Sequence, residues 1–484
     1  MKETNIKFNY IYSLMYSILT IILPFVTAPY ISRVIGAEGL GIYSYNYTIV
    51  SYFITFALLG INFYGNRSIA KVRDNKVKRS QIFSEIYSMQ LIMSIVMIFL
   101  YVSYILFFVR ENIQIALIFI LLIFSPVISV NWFFNGLEMF KITVTRNIII
   151  KLITVICIFI FVKKPNDLWK YTFILSLGTI ISEGYLIIII RKYIMFVKPE
   201  LKRILYHFKP NIILFIPIFA VSIYRSMDKL MLKWLLNYEQ VGFYTNSEKV
   251  ITICLTCITA LGQVMLPKMT NLLSKGEIKQ FNDLIRKSIK LVNFLSIGMM
   301  FGILAISDLF IPLFLGKGYE TCISLLKLLS VNLILLAWGN VLKSEYLIPK
   351  EKDYLYIISV FAGAIVNLII NIILIPQLMA KGAVIGTIFA EITSLCIILF
   401  YLRKEIELKR IILECIPYII IGMSMFFIIK LIPIIEVKGI FNLLIRCAVG
   451  GSSYLVLCFV YWHIRHDEFE NFILNFLSKL LKDK

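Results

Sequence analysis

The 484-residue chain is 60% hydrophobic and only 16% charged, with a mean hydropathy of +0.86. Soluble domains lie nearer ~45–50% apolar and ~25% charged, so this composition excludes a soluble globular protein and indicates a polytopic membrane protein. The formal net charge of +21 would suit a nucleic-acid binder. Here, however, short basic loops alternate with apolar runs, which is the pattern of membrane topology, and no nucleic-acid partner is expected.

Residues 1–9 are short and polar, and an apolar run follows from Tyr10 to Val34. It is too long for a signal-peptide core and lacks a small-residue cleavage site, so it reads as the first span. A spanning helix needs roughly 20 apolar residues. That criterion predicts about fourteen spans, near 10–34, 42–65, 82–109, 113–135, 147–162, 169–190, 211–236, 241–265, 290–315, 321–347, 354–375, 383–402, 411–432 and 440–463. The fifth is short. The basic residues concentrate in loops 66–81, 191–209, 266–290 and 403–410, in the loops near 141–151 and 350–352, and at both ends. The positive-inside rule therefore places both termini in the cytoplasm.

Two basic stretches read as amphipathic helices on the membrane surface. In 276–291, Ile278, Phe281, Leu284, Ile285 and Ile289 recur at helical spacing, as do Phe469, Phe472, Ile473, Phe476, Leu477, Leu480 and Leu481 in the tail. Eight cysteines are scattered, and the Cys254/Cys257 pair sits in an apolar run without a second pair or a nearby histidine. They read as core- or lipid-facing residues rather than metal or redox ligands.

An internal repeat organises the chain. Glu38-Gly-Leu-Gly41-Ile-Tyr43-Ser44 recurs as Glu239-Gln-Val-Gly242-Phe-Tyr244-Thr245, each between the first and second spans of a six-span set. Six is even, so the two sets have the same orientation, with a substrate path expected between the halves. The expected architecture is an all-α bundle: an N-terminal lobe over 1–210, a C-terminal lobe over 211–402, and two further spans with an amphipathic tail over 403–484. Pro24, Pro29 and Pro217 fall in the first and seventh spans, and proline bends a helix by removing a backbone hydrogen bond.

The run Tyr30-Ile-Ser-Arg33-Val-Ile-Gly36-Ala-Glu38-Gly-Leu-Gly41-Ile-Tyr43-Ser44 resembles the Wzx-type polysaccharide repeat-unit flippases. So does Tyr224-Arg225-Ser-Met-Asp228-Lys229-Leu, followed by Glu239-Gln-Val-Gly242-Phe-Tyr244. These proteins share a superfamily with lipid II flippases and multidrug exporters. The resemblance implies a bacterial inner-membrane protein that moves undecaprenyl-pyrophosphate-linked oligosaccharide to the outer leaflet by alternating access. Capsule, exopolysaccharide or O-antigen assembly would be the pathway, with membrane lipid, a polysaccharide polymerase and chain-length machinery as partners. Lipid II flippases tend to carry arginine in the first span; Tyr10–Ser32 has none.

Such a cargo asks for distinct linings. A pyrophosphate needs cations in a low-dielectric interior, and Arg225, Lys229, Lys249 and Lys343 are the candidates, with Lys327 behind them. Arg225 and Asp228 could instead pair with each other at i, i+3. Sugar rings call for aromatic and amide groups, for which Tyr43, Asn46 and Tyr244, beside Tyr45, Tyr47, Asn246 and Glu248, are placed near the outer mouth. Tyrosines there also fit the interfacial belt. Asp228, Asn367, Asn371 and Thr387 supply the hard oxygens that an alkali cation prefers and could form a sodium site. The asparagines could equally hydrogen-bond between helices. Glu183 and Glu391 are the alternative proton carriers.

No nucleophile triad, phosphate loop or metal cluster stands out, so an enzyme is not expected. A cation-coupled multidrug-type exporter and a lipid II-type flippase on the same fold remain the alternatives. A membrane glycosyltransferase or polymerase would call for a large outer loop that the chain lacks.

Overall fold

The computed structural model describes residues 6–195, 197–405, 407–433 and 439–466. All regular structure among them is helical. In chain order the helices are α1 (Ile6–Leu58), α2 (Ile61–Lys71), α3 (Lys76–Phe108), α4 (Ile113–Ile128), α5 (Asn131–Gly136), α6 (Phe140–Phe161), α7 (Leu168–Ile189), α8 (Leu201–Tyr206) and α9 (Phe208–Leu235). They continue with α10 (Tyr238–Ser274), α11 (Ile278–Phe314), α12 (Glu320–Ser330), α13 (Asn332–Val341), α14 (Asp353–Leu378), α15 (Ala380–Leu402), α16 (Leu408–Leu431) and α17 (Gly439–Ile464).

Eleven stretches among the described residues are long and apolar enough to cross a membrane. They become twelve if Glu320–Ser330 and Asn332–Leu347, bent by 40° at their junction, form one span. The sequence expectation of about fourteen is finer than this count, which takes Ile22–Lys71 together. Within that stretch Gly36 alone departs from helical geometry inside α1, at φ 78 and ψ 173. That region of backbone space is essentially closed to residues with a Cβ.

Two local expectations are corrected. The 276–291 stretch is not a separate surface helix but the start of the unbroken α11. Its apolar residues run in phase into the span: Phe281, Ile285, Ile289 and Val292 are all buried. Likewise α6 begins at Phe140, so the whole basic stretch 141–151, including a buried Arg146, is helix rather than loop. The tail helix expected from Phe469 to Leu481 lies outside the described residues.

The chain divides into two compact units, Met1–Gly242 and Phe243–Lys484. In the N-terminal unit α4 packs on α7, α3 and α1, while α9 packs on α1, α2 and α8. One core gathers Ile31, Leu40, Val50, Phe119 and Val162. A second surrounds the fully buried run Trp132, Phe133 and Phe134. Close backbone approach occurs where α1 meets the start of α10. A Cβ added at Gly41 would collide with the Tyr238 carbonyl, and one at Gly242 with the Ala37 carbonyl.

In the C-terminal unit α14 lies along α15, joined by the single residue Met379. Gly382 and Gly386 open a groove on α15: a Cβ at the first would strike the Leu374 carbonyl, and one at the second the Asn371 side-chain oxygen. Small residues four apart let helices in lipid pack by van der Waals contact where no hydrophobic drive separates them from their surroundings. Around this pair α11 packs on α12, α13, α16 and α17 over a core that includes Phe281, Tyr346, Tyr418 and Trp462. Large apolar side chains such as Ile95, Phe99, Leu106, Ile365 and Ile372 are exposed. In water they would form an aggregation-prone surface; against acyl chains they cost nothing.

Candidate functional site

The charges singled out in α9 separate by environment. Asp228 is only 2% exposed, whereas Arg225 is exposed and Lys229 half-buried. One helical turn thus presents a buried carboxylate and an open guanidinium to different surroundings. At the C-terminal end of α9, Lys233 Nζ reaches Glu111 Oε2 at 3.0 Å and lies 4.1 Å from the Tyr238 ring centroid. That hydrogen bond from Lys233 holds the exposed Glu111 carboxyl below the usual carboxylate range. Trp234 Nε1 donates to Tyr45 Oη at 3.1 Å.

The sugar-site candidates in α1 join this aromatic end of the unit. Tyr43 packs on Tyr171, Phe119 and Tyr47 with ring centroids 5.0, 5.5 and 5.8 Å away. Asn46 is buried and donates to the Ile42 carbonyl of its own helix at 2.8 Å, while Tyr47 is exposed.

In the C-terminal unit, Tyr244, Thr245, Asn246 and Ser247 are buried at the start of α10, and Glu248 and Lys249 are half-buried. Tyr244 Oη lies 3.2 Å from Thr387 Oγ1, which also donates to the Ala383 carbonyl at 2.9 Å. Asn367 and Asn371 are fully enclosed, and Asn371 Nδ2 donates to Asn367 Oδ1 at 3.1 Å. Their amides press against Gly386, which has no side chain to exclude them. The structure therefore brings Tyr244, Asn367, Asn371 and Thr387 onto the α10, α14 and α15 elements of one unit. Lys343 Nζ lies 4.2 Å from the Tyr356 ring centroid, and Lys327 pairs with Asp308 at 2.5 Å. Glu391 is half-buried in α15.

Glu183 sits in a network that the sequence did not disclose. Asn131 Nδ2 donates to both of its carboxylate oxygens at 2.7 Å, and Arg146 Nη2 lies 4.0 Å from Oε1. Arg146 also donates to the Ser182 carbonyl, Asn131 Oδ1 and Asn147 Oδ1 at 2.7, 3.0 and 2.8 Å. A second missed cluster centres on His207, at the junction of α8 and α9. Its Nδ1 lies 2.7 Å from Tyr64 Oη and its Nε2 3.0 Å from Glu85 Oε2, all three residues being buried. Arg203 reaches the same carboxylate at 3.5 Å. Among the described residues no group of three or more His, Cys, Asp or Glu could hold a metal ion.

A family model described as "Polysaccharide biosynthesis protein" matches residues 6–273. The protein named "Putative O-antigen transporter" from Shigella dysenteriae is 25% identical over 386 residues, which is 78% of this chain and 95% of that one. Its Escherichia coli K12 namesake is 21% identical over 407 residues, 83% and 98% of the two chains. Among solved structures, the lipid II flippase MurJ in an inward closed conformation superposes with a TM-score of 0.75 at 16% identity, over 94% of this chain and 99% of that one. An outward-facing MATE-family multidrug transporter gives 0.51 at 14% identity, over 83% and 93%. At these identities the two structures speak to the fold alone: an all-helical membrane protein of the kind MurJ and the MATE transporters share.

Proposed function

The chain belongs to the polysaccharide biosynthesis protein family, a family of membrane transporters rather than enzymes, and from that premise we propose that it flips undecaprenyl-pyrophosphate-linked oligosaccharide repeat units across the bacterial cytoplasmic membrane by alternating access. The observation that carries this reading is the near full-length match to two proteins named as O-antigen transporters. The 25% identity over 259 residues to the "Probable low-salt glycan biosynthesis flippase Agl15" of Haloferax volcanii supports the same class of cargo. In this reading about fourteen helices cross the membrane as two six-helix lobes plus a C-terminal pair, with both termini in the cytoplasm. Capsule, exopolysaccharide or O-antigen assembly is the destination, and a polymerase with its chain-length machinery would take the product.

Arg225 is the foremost contact for the pyrophosphate, because it stands exposed on a helix whose neighbouring carboxylate is buried. A guanidinium binds phosphoryl oxygens bidentately and keeps its charge in any surroundings. Lys229, Lys249 and Lys343 add point charges, and Tyr43, Asn46 and Tyr244 are assigned to the sugar. For ion coupling, to sodium or a proton, the candidates are Asp228 on α9 in the N-terminal unit and, in the C-terminal unit, the oxygens of Asn367, Asn371 and Thr387 on α14 and α15.

The test uses purified protein in proteoliposomes loaded with lipid-linked oligosaccharide. Arg225→Gln and Lys249→Gln should abolish flipping while the protein still inserts. Full activity in both variants sinks the anion assignment. Flipping that ignores an imposed sodium gradient but follows a pH gradient moves the coupling from sodium to a proton, with Glu183 and Glu391 as candidate carriers. Transport of cationic drugs in place of the lipid would favour the multidrug-exporter alternative, and preference for lipid II the peptidoglycan one.

A further inference from the structure

Between α13 and α14 the chain makes a π-helical segment, Leu342–Leu347. Its wider turn is marked by Ile348 N donating to the Lys343 carbonyl at 3.0 Å, a bond across five residues. Single π turns inside longer helices are uncommon and cluster at functional sites. This one belongs to the bent pair that can form a span, and its central residue is a carboxylate. Glu345 is only 1% exposed.

Ser288 of α11, itself buried, hydrogen-bonds the Glu345 side chain. The other side of the carboxyl is bare: Oε2 is enclosed and has no hydrogen-bond partner. The segment packs on α13 and α14, and the charges of the surrounding elements are engaged elsewhere. On its own turn Lys343 lies over the Tyr356 ring, and Tyr346 Oη donates to Glu405 at 2.9 Å. Lys350 and Lys352 pair with Glu405. On α11, Arg286 pairs with Glu414, Lys287 and Lys290 have contacts of their own, and Asp283 is exposed. On α14, Asp353 and Tyr354 are exposed, and α13 carries no ionisable side chain.

An ionised carboxylate in such a place would combine the full cost of desolvation with an unpaired charge. Ionisable groups kept at membrane depth despite that cost are by default parts of ion or proton pathways. We propose that Glu345 is a proton-binding site: it holds a proton in the conformation seen here and releases it when the π turn opens to water. The step is a simple acid dissociation. The O–H bond on the carboxyl breaks, the proton passes to water, and the carboxylate is hydrated until it is reprotonated.

That Glu345 holds a proton is independent of the cargo; that the proton is coupled to transport rests on the flippase reading. Two arms separate these. Infrared difference spectra of the full chain in lipid nanodiscs at neutral pH, wild type minus Glu345→Gln, should contain a carboxylic-acid carbonyl band that the variant lacks. Carboxylate bands in its place, or a band that shifts with added sodium, would overturn the proposal. In proteoliposomes carrying lipid-linked oligosaccharide, an imposed pH gradient should change the flipping rate of wild type and Glu345→Asp but not of Glu345→Gln. An equal response in Glu345→Gln also overturns it. If wild type moves no lipid-linked oligosaccharide, the flippase reading fails, and the infrared arm still decides whether Glu345 binds a proton.

Discussion

Gly41 and Gly242 meet backbone to backbone. A Cβ at Gly41 would strike the Tyr238 carbonyl and come within 3.1 Å of the Gly242 amide nitrogen, and one at Gly242 would strike the Ala37 carbonyl. These are the two glycines of the repeated motif. The obstructing atoms are main chain, so a methyl group there cannot be absorbed by a side-chain rotation. Gly41→Ala and Gly242→Ala should each destabilise the protein by about 1–3 kcal/mol, the usual penalty for overpacking, read as a lower thermal unfolding midpoint in detergent. Gly184→Ala, where a Cβ would meet nothing within 4 Å, is the control. An unchanged midpoint in both motif variants would refute the packing account.

The His207 cluster ties the start of α9 to α2 and α3 through Tyr64 and Glu85. His207→Ala should loosen that end of α9, giving faster amide hydrogen exchange over residues 201–215 with little change in α14 and α15. Removing a partner from a buried polar group costs ~1–3 kcal/mol. Tyr64→Phe removes one hydrogen bond and keeps the ring, so its effect should be smaller.

Arg146 and Glu183 are 97% and 87% enclosed by side chain, given their exposures of 3% and 13%. Arg146→Met leaves a buried carboxylate without its cation, a change that costs ~3–5 kcal/mol when one partner of a buried pair is removed. The double variant Arg146→Met/Glu183→Met removes both charges and should unfold at a higher temperature than Arg146→Met alone. A double variant less stable than the single would mean that the network is held by Asn131 and Asn147 rather than by the pair.

Glu405, in the turn after α15, takes hydrogen bonds from Lys352, Lys350 and Tyr346. The bond from Lys352 is the main reason that its carboxyl is held down at about 2, against an ordinary 4.5. A carboxyl lowered in the folded state stabilises fully above 4.5 and loses that contribution as pH falls towards 2. At neutral pH Glu405→Gln should lower stability by ~0.2–1 kcal/mol, since the group is a third exposed. The gap to wild type should close as pH falls from 4.5 towards 2. A gap constant over that range would remove Glu405 from the acid response.

Much of the helical layout was legible because apolar runs and basic loops report directly on burial in lipid. The ends were less so. Nothing between Ile289 and Val292 breaks a helix, so the amphipathic stretch and the span became one α11, with lysines tolerated on its outer side. Arg146 was read as a topological charge because sequence shows basic residues near span ends but not their partners, and Asn131 and Glu183 lie in other helices. His207 falls inside the expected loop 191–209, and its partners are 143 and 122 positions away. Glu345 gave no periodic signal at all, since a π turn shifts the helical phase where the pattern would be read. Of the predicted site, the sequence grouped Asn367 with Asn371 through their spacing of one turn, and the structure adds that Gly386 makes the room for them.

Gly36 differs in kind from the two motif glycines. A Cβ there would meet nothing within 4 Å, so volume plays no part, and what bars other residues is the backbone at φ 78 and ψ 173. The mirror image of those angles is ordinary extended chain for an L-residue. The constraint is therefore one of handedness. D-alanine introduced at 36 by semisynthesis should keep the backbone that L-alanine would strain, whereas at Gly41 and Gly242 what bars an L-residue is the main-chain atom its Cβ would strike.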